Sequence, residues 1–491
     1  MYKEAIQDAI SMHELPSKWQ SDLINEAKTV ASKKKATKYR KDLRKLNFAT
    51  IDGEDAKDFD DAVYCVKNSN GFTLYVAIAD VSFYVTPGSK IDKEAKKRGT
   101  SIYFPERVIP MLPENLSNGI CSLRPNEDRC VMICEMSIGL DGKRNKYKFY
   151  GGLINSKARL TYNQVEKHLK RLSNFKQAGV RDSIKHLKDL TDLRLKLRNQ
   201  RSALEINPKE AIIELSKDKE VKNIVIKKSL FAHKIIEESM LLANESAAEY
   251  MQDHLELGVY RIHEDPDPSK LEVLKKHFKI PSKAVKKLSP LEVINLCLTQ
   301  ANKNNDDTGQ ILVLQTLARA EYSTNNLGHF GLQLKQYSHF TSPIRRYPDL
   351  LVHRLIHSSL AHKKIQTRQN ELQDECENSS MLERRAEKAS RQVEQVLICS
   401  YLKTKIGSTM DGVVTGVTDF GLFINLEPYF ISGLLHISDL PDDRYHYLSD
   451  SNALKGKRRG GIYKLGQKIK VKIAAIFPLE RKINLVISYG K

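Results

Sequence analysis

The sequence predicts an α+β protein: a large domain of mixed helices and strands, followed by a small five-stranded β-barrel. Three observations carry that reading. Apolar residues alternate with period two from Phe48 to about Gly151. The period becomes helical across residues 160–200 and 229–254. After Lys405, five short strands separated by turn residues crowd into roughly 80 residues, the texture of an OB-type barrel.

The elements follow in chain order. Residues 1–46 are polar and basic; from Lys28 to Lys45 nine Lys/Arg face one acid, Asp42, the composition of an arm turned toward a nucleic acid. Ala62–Lys67 and Phe72–Ala79 read as strands, and Asn68–Gly71 between them is a hairpin turn. Arg129–Gly139 is another strand. In 229–254, Leu230, Ile235, Ile236, Leu241 and Leu242 share a stripe. Further helices are expected over Leu350–His362 and Cys376–Lys405. No βαβ rhythm and no Gly-rich phosphate loop is present, which argues against a nucleotide cofactor. The barrel strands are Met410–Val417, Gly421–Glu427, Ile431–Ser438, Ile469–Ile476 and Lys482–Ser488. The division is therefore a basic segment 1–46, a large mixed domain 47–405 and a barrel 406–488.

Composition narrows the function. The 80 basic and 60 acidic residues leave a net charge of +20, which favours a polyanionic partner, nucleic acid before membrane. Hydrophobic content of 41% with 29% charged residues excludes wholesale disorder and an integral membrane class. The seven cysteines are scattered in apolar stretches, so a disulfide scaffold is not expected; Cys130 and Cys134 read as buried strand residues rather than half a zinc site. The first residues lack an apolar leader core, and the expected location is the cytoplasm.

Three groups of residues carry chemistry. In TIDGEDAKDFDDAV, Asp52, Asp58, Asp60 and Asp61 crowd the start of a strand. Such a concentration of like charge is unfavourable unless cations are bound, and Mg²⁺ prefers carboxylate and water oxygens. Two such ions about 4 Å apart can activate water and stabilise a leaving oxygen in phosphodiester hydrolysis. In YSHFTSPIRRYPDL, Arg345 and Arg346 stand between two prolines ahead of a helix; guanidinium forks bind phosphate bidentately. In the barrel, Phe420, Phe423 and His436 cannot all point inward, and outward aromatics on strands stack unpaired bases. The basic loop Lys455–Lys464 lies in the same domain.

These motifs, together with YVAIADVSFYV, GTSIYFPERVIPMLPENLSNGICSL, KARLTY, HKIIEESMLLAN and GHFGL, occur in the order seen in the ribonuclease II (RNB) family of exoribonucleases, and most resemble its ribonuclease R branch. The terminal barrel resembles the RNA-binding domain repeated in ribosomal protein S1. The resemblance spans roughly residues 15–488. It implies a magnesium-dependent, processive 3′→5′ hydrolysis of single-stranded RNA to nucleoside 5′-monophosphates by a monomer with two metal ions. By motif position, Asp52, Asp58, Asp60 and Asp61 are implied to hold metal, with Asp60 foremost in the chemical step. Arg345 and Arg346 are implied to hold the scissile phosphate, with Glu387 of ERRAEK in support. Tyr103 resembles the aromatic that packs on the 3′-terminal nucleotide. Tyr162 and one of Glu237 or Glu238 resemble the residues that read the ribose 2′-hydroxyl. Ribonuclease R-type members carry cold-shock OB domains where this sequence has residues 1–46, and many carry a Lys-rich tail beyond the barrel. The rival classes are an RNA-binding protein that does not cleave and a metal-dependent DNase or general phosphodiesterase.

Overall fold

Apolar strands in the first third of the chain build one mixed sheet with both faces covered. A computed structural model describes every residue except 33–38, 172, 174, 207–209, 281–287, 305, 364–366, 442, 449–452 and 489–491. Its strands are Lys41–Asp42 (β1), Ala49–Asp52 (β2), Asp61–Asn68 (β3) and Gly71–Ala79 (β4). A separate hairpin, Ile102–Phe104 (β5) with Arg107–Ile109 (β6), precedes Asp128–Ile138 (β7), Arg144–Asn155 (β8) and Ala158–Thr161 (β9). The seven-stranded order is β1-β8-β7-β4-β3-β2-β9, with parallel pairing only at its two ends.

The expected hairpin forms, Asn68 pairing with Gly71 and Ala62 with Ala77. Successive side chains point to opposite faces. Val63, Cys65, Leu74 and Val76 therefore meet one helical layer, in which Ala178–Gln200, Phe231–His254 and Tyr347–Leu360 bury their apolar stripes. Ala62, Ala77, Val131 and Ile133 face the other layer, with Leu23, Tyr84, Leu116 and Ile344. Cys130 and Cys134 are buried strand residues, and all seven cysteines are free and buried. Among the described residues, no helix is long and apolar enough to cross a membrane.

The five barrel strands close in the order Thr409–Thr418, Gly421–Leu426, Ile431–His436, Lys482–Ile487, Lys468–Phe477. The helix Gln369–Leu402 joins the two units: Ala386, Ala389 and Val393 pack against the N-terminal helix, and Ile398, Cys399 and Leu402 enter the barrel core.

Two expectations need correction. Residues 1–46 are not a free arm. Tyr2–Met12 and Ser21–Ala31 are helices whose Ala5, Ile6, Ala9, Leu23 and Ala27 are buried. Arg40 is buried against Asp80 at 2.5 Å, and only residues 33–38 of the lysine run lie outside the described residues. The helical period of 160–200 belongs to two helices, Tyr162–Leu169 and Ala178–Gln200.

Candidate active site

Asp52 ends β2, Asp61 opens β3, and the loop between them carries Asp58 and Asp60. The loop is held by its one large apolar residue. Phe59 is buried, its N–H donates to Ser122 Oγ at 3.0 Å, and its carbonyl accepts from Leu123 at 3.0 Å. Arg159 donates to the carbonyls of Gly53 (2.7 Å) and Glu54 (2.5 Å), closing the other side.

Asp60 is buried, and its Oδ1 accepts the N–H of Ile344 at 2.8 Å. Arg345 Nε stands 3.6 Å from its Oδ2. Burial drives the Asp60 pKa well above the ordinary value, with Arg345 and the Ile344 amide opposing. Burial, and then the charges of Asp61 and Asp58, push Asp52 up to about 8. Burial pushes Asp61 up to about 6, against Arg345. Asp61 Oδ2 is buried without a hydrogen-bond partner among the described residues. Carboxylates raised by burial and mutual repulsion mark a place short of positive charge.

The arginine turn is built by its prolines and by Asp349. Asp349 is fully buried; its Oδ1 accepts from the Ser342 N–H at 2.8 Å and from Arg346 Nη2 at 2.7 Å. Arg346 is thereby paired with Asp349, whereas Arg345 is half-exposed, aimed at Asp60, and steadied by Ser342 Oγ at 3.0 Å. Ile344, whose amide donates to Asp60, is itself buried in the core.

Tyr103, on β5, donates its hydroxyl to Asp58 at 3.2 Å while its ring stays exposed. Glu387 is on the long helix one turn before Ser390, which donates to the Tyr103 carbonyl at 2.8 Å. Glu387 itself is exposed and pairs with Arg391 at 3.7 Å. Tyr162 follows Thr161, which pairs with Asp52 across the parallel strands. Burial and the charges of Asp52 and Asp61 push its phenol upward. The two glutamates separate: Glu238 is buried, 3.2 Å from Arg198 and 3.7 Å from Arg194, whereas Glu237 is exposed, 2.6 Å from Arg198. Glu237 lines a cavity of about 400 Å³ with Arg198, Lys234 and His329.

In the barrel, Leu422 is the inward residue and Phe420 stands in the turn before the strand, exposed. Phe423 packs edge-on against Phe420, centroids 6.0 Å apart, and its ring lies over Gly416, where an added Cβ would stand 3.2 Å from it. His436 pairs with Gly421 on the neighbouring strand and is exposed. The three therefore share the outer surface.

Three contributors escape motif reading: the Ile344 amide, Arg159 and Arg198. Arg159 lies inside KARLTY, which marks it; a backbone amide and one arginine among several bases of a helix carry no such mark.

A two-faced mixed sheet with carboxylates gathered beside an arginine turn, tied to a barrel with outward aromatics, defines a two-domain class with an acidic centre and a nucleic-acid-type barrel. Comparison with known proteins agrees: the RNB domain matches residues 40–362 and the S1 RNA binding domain residues 403–488. The chain belongs to the RNB family and carries an S1 domain. It is 39% identical over 499 residues to ribonuclease R of Vibrio cholerae, covering 97% of this chain and 61% of that protein. The chain thus spans about three fifths of that relative's length. The structure of Mycoplasma genitalium RNase R in complex with ribose methylated single-stranded RNA superposes with a TM-score of 0.93 at 31% identity, covering 98% of this chain and 77% of that one. Yeast Ssd1, a pseudonuclease, shares the fold with a TM-score of 0.73 at 17% identity, over 92% of this chain and 58% of its own.

Proposed function

We propose that the chain is a magnesium-dependent exoribonuclease that degrades single-stranded RNA processively from the 3′ end to nucleoside 5′-monophosphates. The observation that carries this reading is the acidic centre: Asp52 and Asp61 elevated together, with a buried Asp61 oxygen left unpartnered beside the Arg345 guanidinium. Among the described residues, no group of three or more His, Cys, Asp or Glu side chains converges on an ion by itself. Mg²⁺ does not need such a cage, because it keeps waters and binds through one or two carboxylates together with substrate phosphates. The orphaned oxygen and the mutual repulsion fit divalent cations bound through one or two carboxylates at a time from the set Asp52, Asp58, Asp60 and Asp61. When bound there, such ions supply positive charge at the scissile phosphate and lower the pKa of water.

The chain's own groups do the rest. Arg345, half-exposed beside Asp60, donates to the phosphate and stabilises charge that builds on it. Asp60 keeps Arg345 and the Ile344 amide in register. The Tyr103 ring, fixed by Asp58 and Ser390, packs on the terminal nucleotide, and Tyr162 with Glu237 or Glu238 reads its ribose. The S1 barrel adds base stacking at Phe420, Phe423 and His436.

The Ssd1 likeness makes fold alone indecisive between a nuclease and a binding protein; the complete set of aspartates with Arg345 favours the nuclease. Labelled poly(A) and poly(dA), each with magnesium or with chelator, separate the readings. Conversion of RNA alone to mononucleotides, only with magnesium, is expected. Tight binding without hydrolysis would make the chain an RNA-binding protein, and equal loss of poly(dA) would make it a general phosphodiesterase.

A further inference from the structure

His233 stands at the third position of the helix Phe231–His254, where a capping box usually places Glu or Gln. Its Nδ1 accepts the Leu230 N–H at 3.0 Å, so the imidazole does the work of the usual amide. The same ring lies face to face with Tyr162, centroids 4.1 Å apart and planes 27° from parallel. A Gln would cap as well, but only a flat ring can also stack.

The surroundings fix both partners. Tyr162 opens a helix whose own capping box is complete: Thr161 Oγ1 accepts from Gln164 N–H at 3.1 Å, and Gln164 Oε1 from Thr161 N–H at 2.9 Å. Glu166, one turn on, accepts the Ala232 N–H at 3.3 Å and so binds the two helix starts together. Glu237 is four residues after His233, on the same helix face. The ring thus stacks on Tyr162, beside Asp52, one helical turn before Glu237.

The geometry points to His233 as a positioning residue for sugar discrimination: it sets the plane of the Tyr162 ring, and through it the phenol that meets the ribose 2′-hydroxyl. This rests on the proposed ribonuclease reading and on Tyr162 as its sugar reader. Discrimination by hydrogen bonding depends on placement, and a misplacement of about 1 Å costs roughly a hundredfold.

Two substitutions divide the two duties of the ring. His233→Gln keeps the cap and loses the stack; His233→Phe keeps the stack and loses the cap. The readouts are the RNA-to-DNA ratio of kcat/KM with magnesium, the RNA-to-DNA ratio of Kd in chelator, and Tm, with Tyr162→Ala alongside. His233→Gln is expected to lower the selectivity ratios at least about tenfold with Tm nearly unchanged, in the direction of Tyr162→Ala, while His233→Phe retains them. If Tyr162→Ala loses selectivity and His233→Gln does not, or if only His233→Phe fails, the ring is a cap and nothing more. If Tyr162→Ala itself keeps selectivity, the sugar-reading assignment falls first. Absence of cleavage with all variants would count against the ribonuclease reading, and the Kd ratios would still decide the role of His233.

Discussion

Replacing Asp61 by Asn removes one charge from the acidic centre and little else. Burial holds the carboxylate at about 6, above its ordinary 3.8. At about 1.36 kcal/mol for each pKa unit, keeping Asp61 ionised in the folded chain costs about 3 kcal/mol. The sign follows from proton binding. An acid whose folded pKa is raised binds its proton more tightly when folded, so between pH 3.8 and about 6 for Asp61, and up to about 8 for Asp52, stability falls as pH rises. In chelator at pH 8, Asp61→Asn is therefore expected to be more stable than the parent by up to about 3 kcal/mol, a rise of several degrees in Tm. Relief at Asp52, whose elevation Asp61 shares, acts in the same direction. Below pH 5 the gap should shrink as Asp61 protonates in the parent. Magnesium should stabilise the parent by mass action and the variant much less, narrowing or reversing the order. Thermal melts from pH 5 to 8.5, with chelator or magnesium, read all of this. An Asn variant no more stable in chelator at pH 8, with magnesium raising both melting temperatures equally, would refute the reasoning that the carboxylates are arranged for a cation.

The two arginines should separate. Arg346→Ala strands the buried Asp349 and is expected to cost about 3–5 kcal/mol of stability, read by denaturant unfolding, whereas Arg345→Ala should leave the fold intact and collapse turnover. Ala at Tyr162 or Glu237 should let DNA be bound or cut productively, measured as the ratio of rates on matched oligonucleotides; Glu238→Ala should in addition lower Tm, because it leaves Arg194 and Arg198 underpaired. In the barrel, Ala at Phe420, Phe423 or His436 should weaken binding of long RNA by roughly 1–3 kcal/mol for each lost stack with Tm unchanged. Leu422→Ala, in the barrel core, should instead cost about 2–5 kcal/mol of folding free energy.

The parts that could be read from the residues are those where side-chain identity carries the signal. Gly421–Leu426 and Ile431–His436 alternate inward and outward along their length, so the barrel was legible strand by strand. The three-stranded sheet Tyr445–Leu448, Ala453–Gly456 and Ile462–Lys464 was not, because strands of three or four residues cannot display a period. The N-terminal helices were obscured by the lysine run that follows them, although Ala5, Ile6, Ala9 and Ile10 hold a helical spacing. At the site, the aspartates were visible as acids running into an apolar strand. The division of labour between Arg345 and Arg346, and between Glu237 and Glu238, depends on which neighbour each meets through long-range packing, Asp349 and Arg198, and adjacent residues of one type look alike in sequence.

The most direct test of the acidic centre follows one RNA oligonucleotide labelled at either end, with magnesium, using the parent chain and Asp60→Asn. Release of the 3′ label as a mononucleotide from the first turnover is expected, while the 5′ label passes from full length to a short end product without a ladder. Asp60→Asn is expected to bind the oligonucleotide normally and release nothing. Release from the 5′ end, internal cutting, or near-normal hydrolysis by Asp60→Asn would contradict a cation-dependent 3′→5′ exonuclease centre built on these carboxylates.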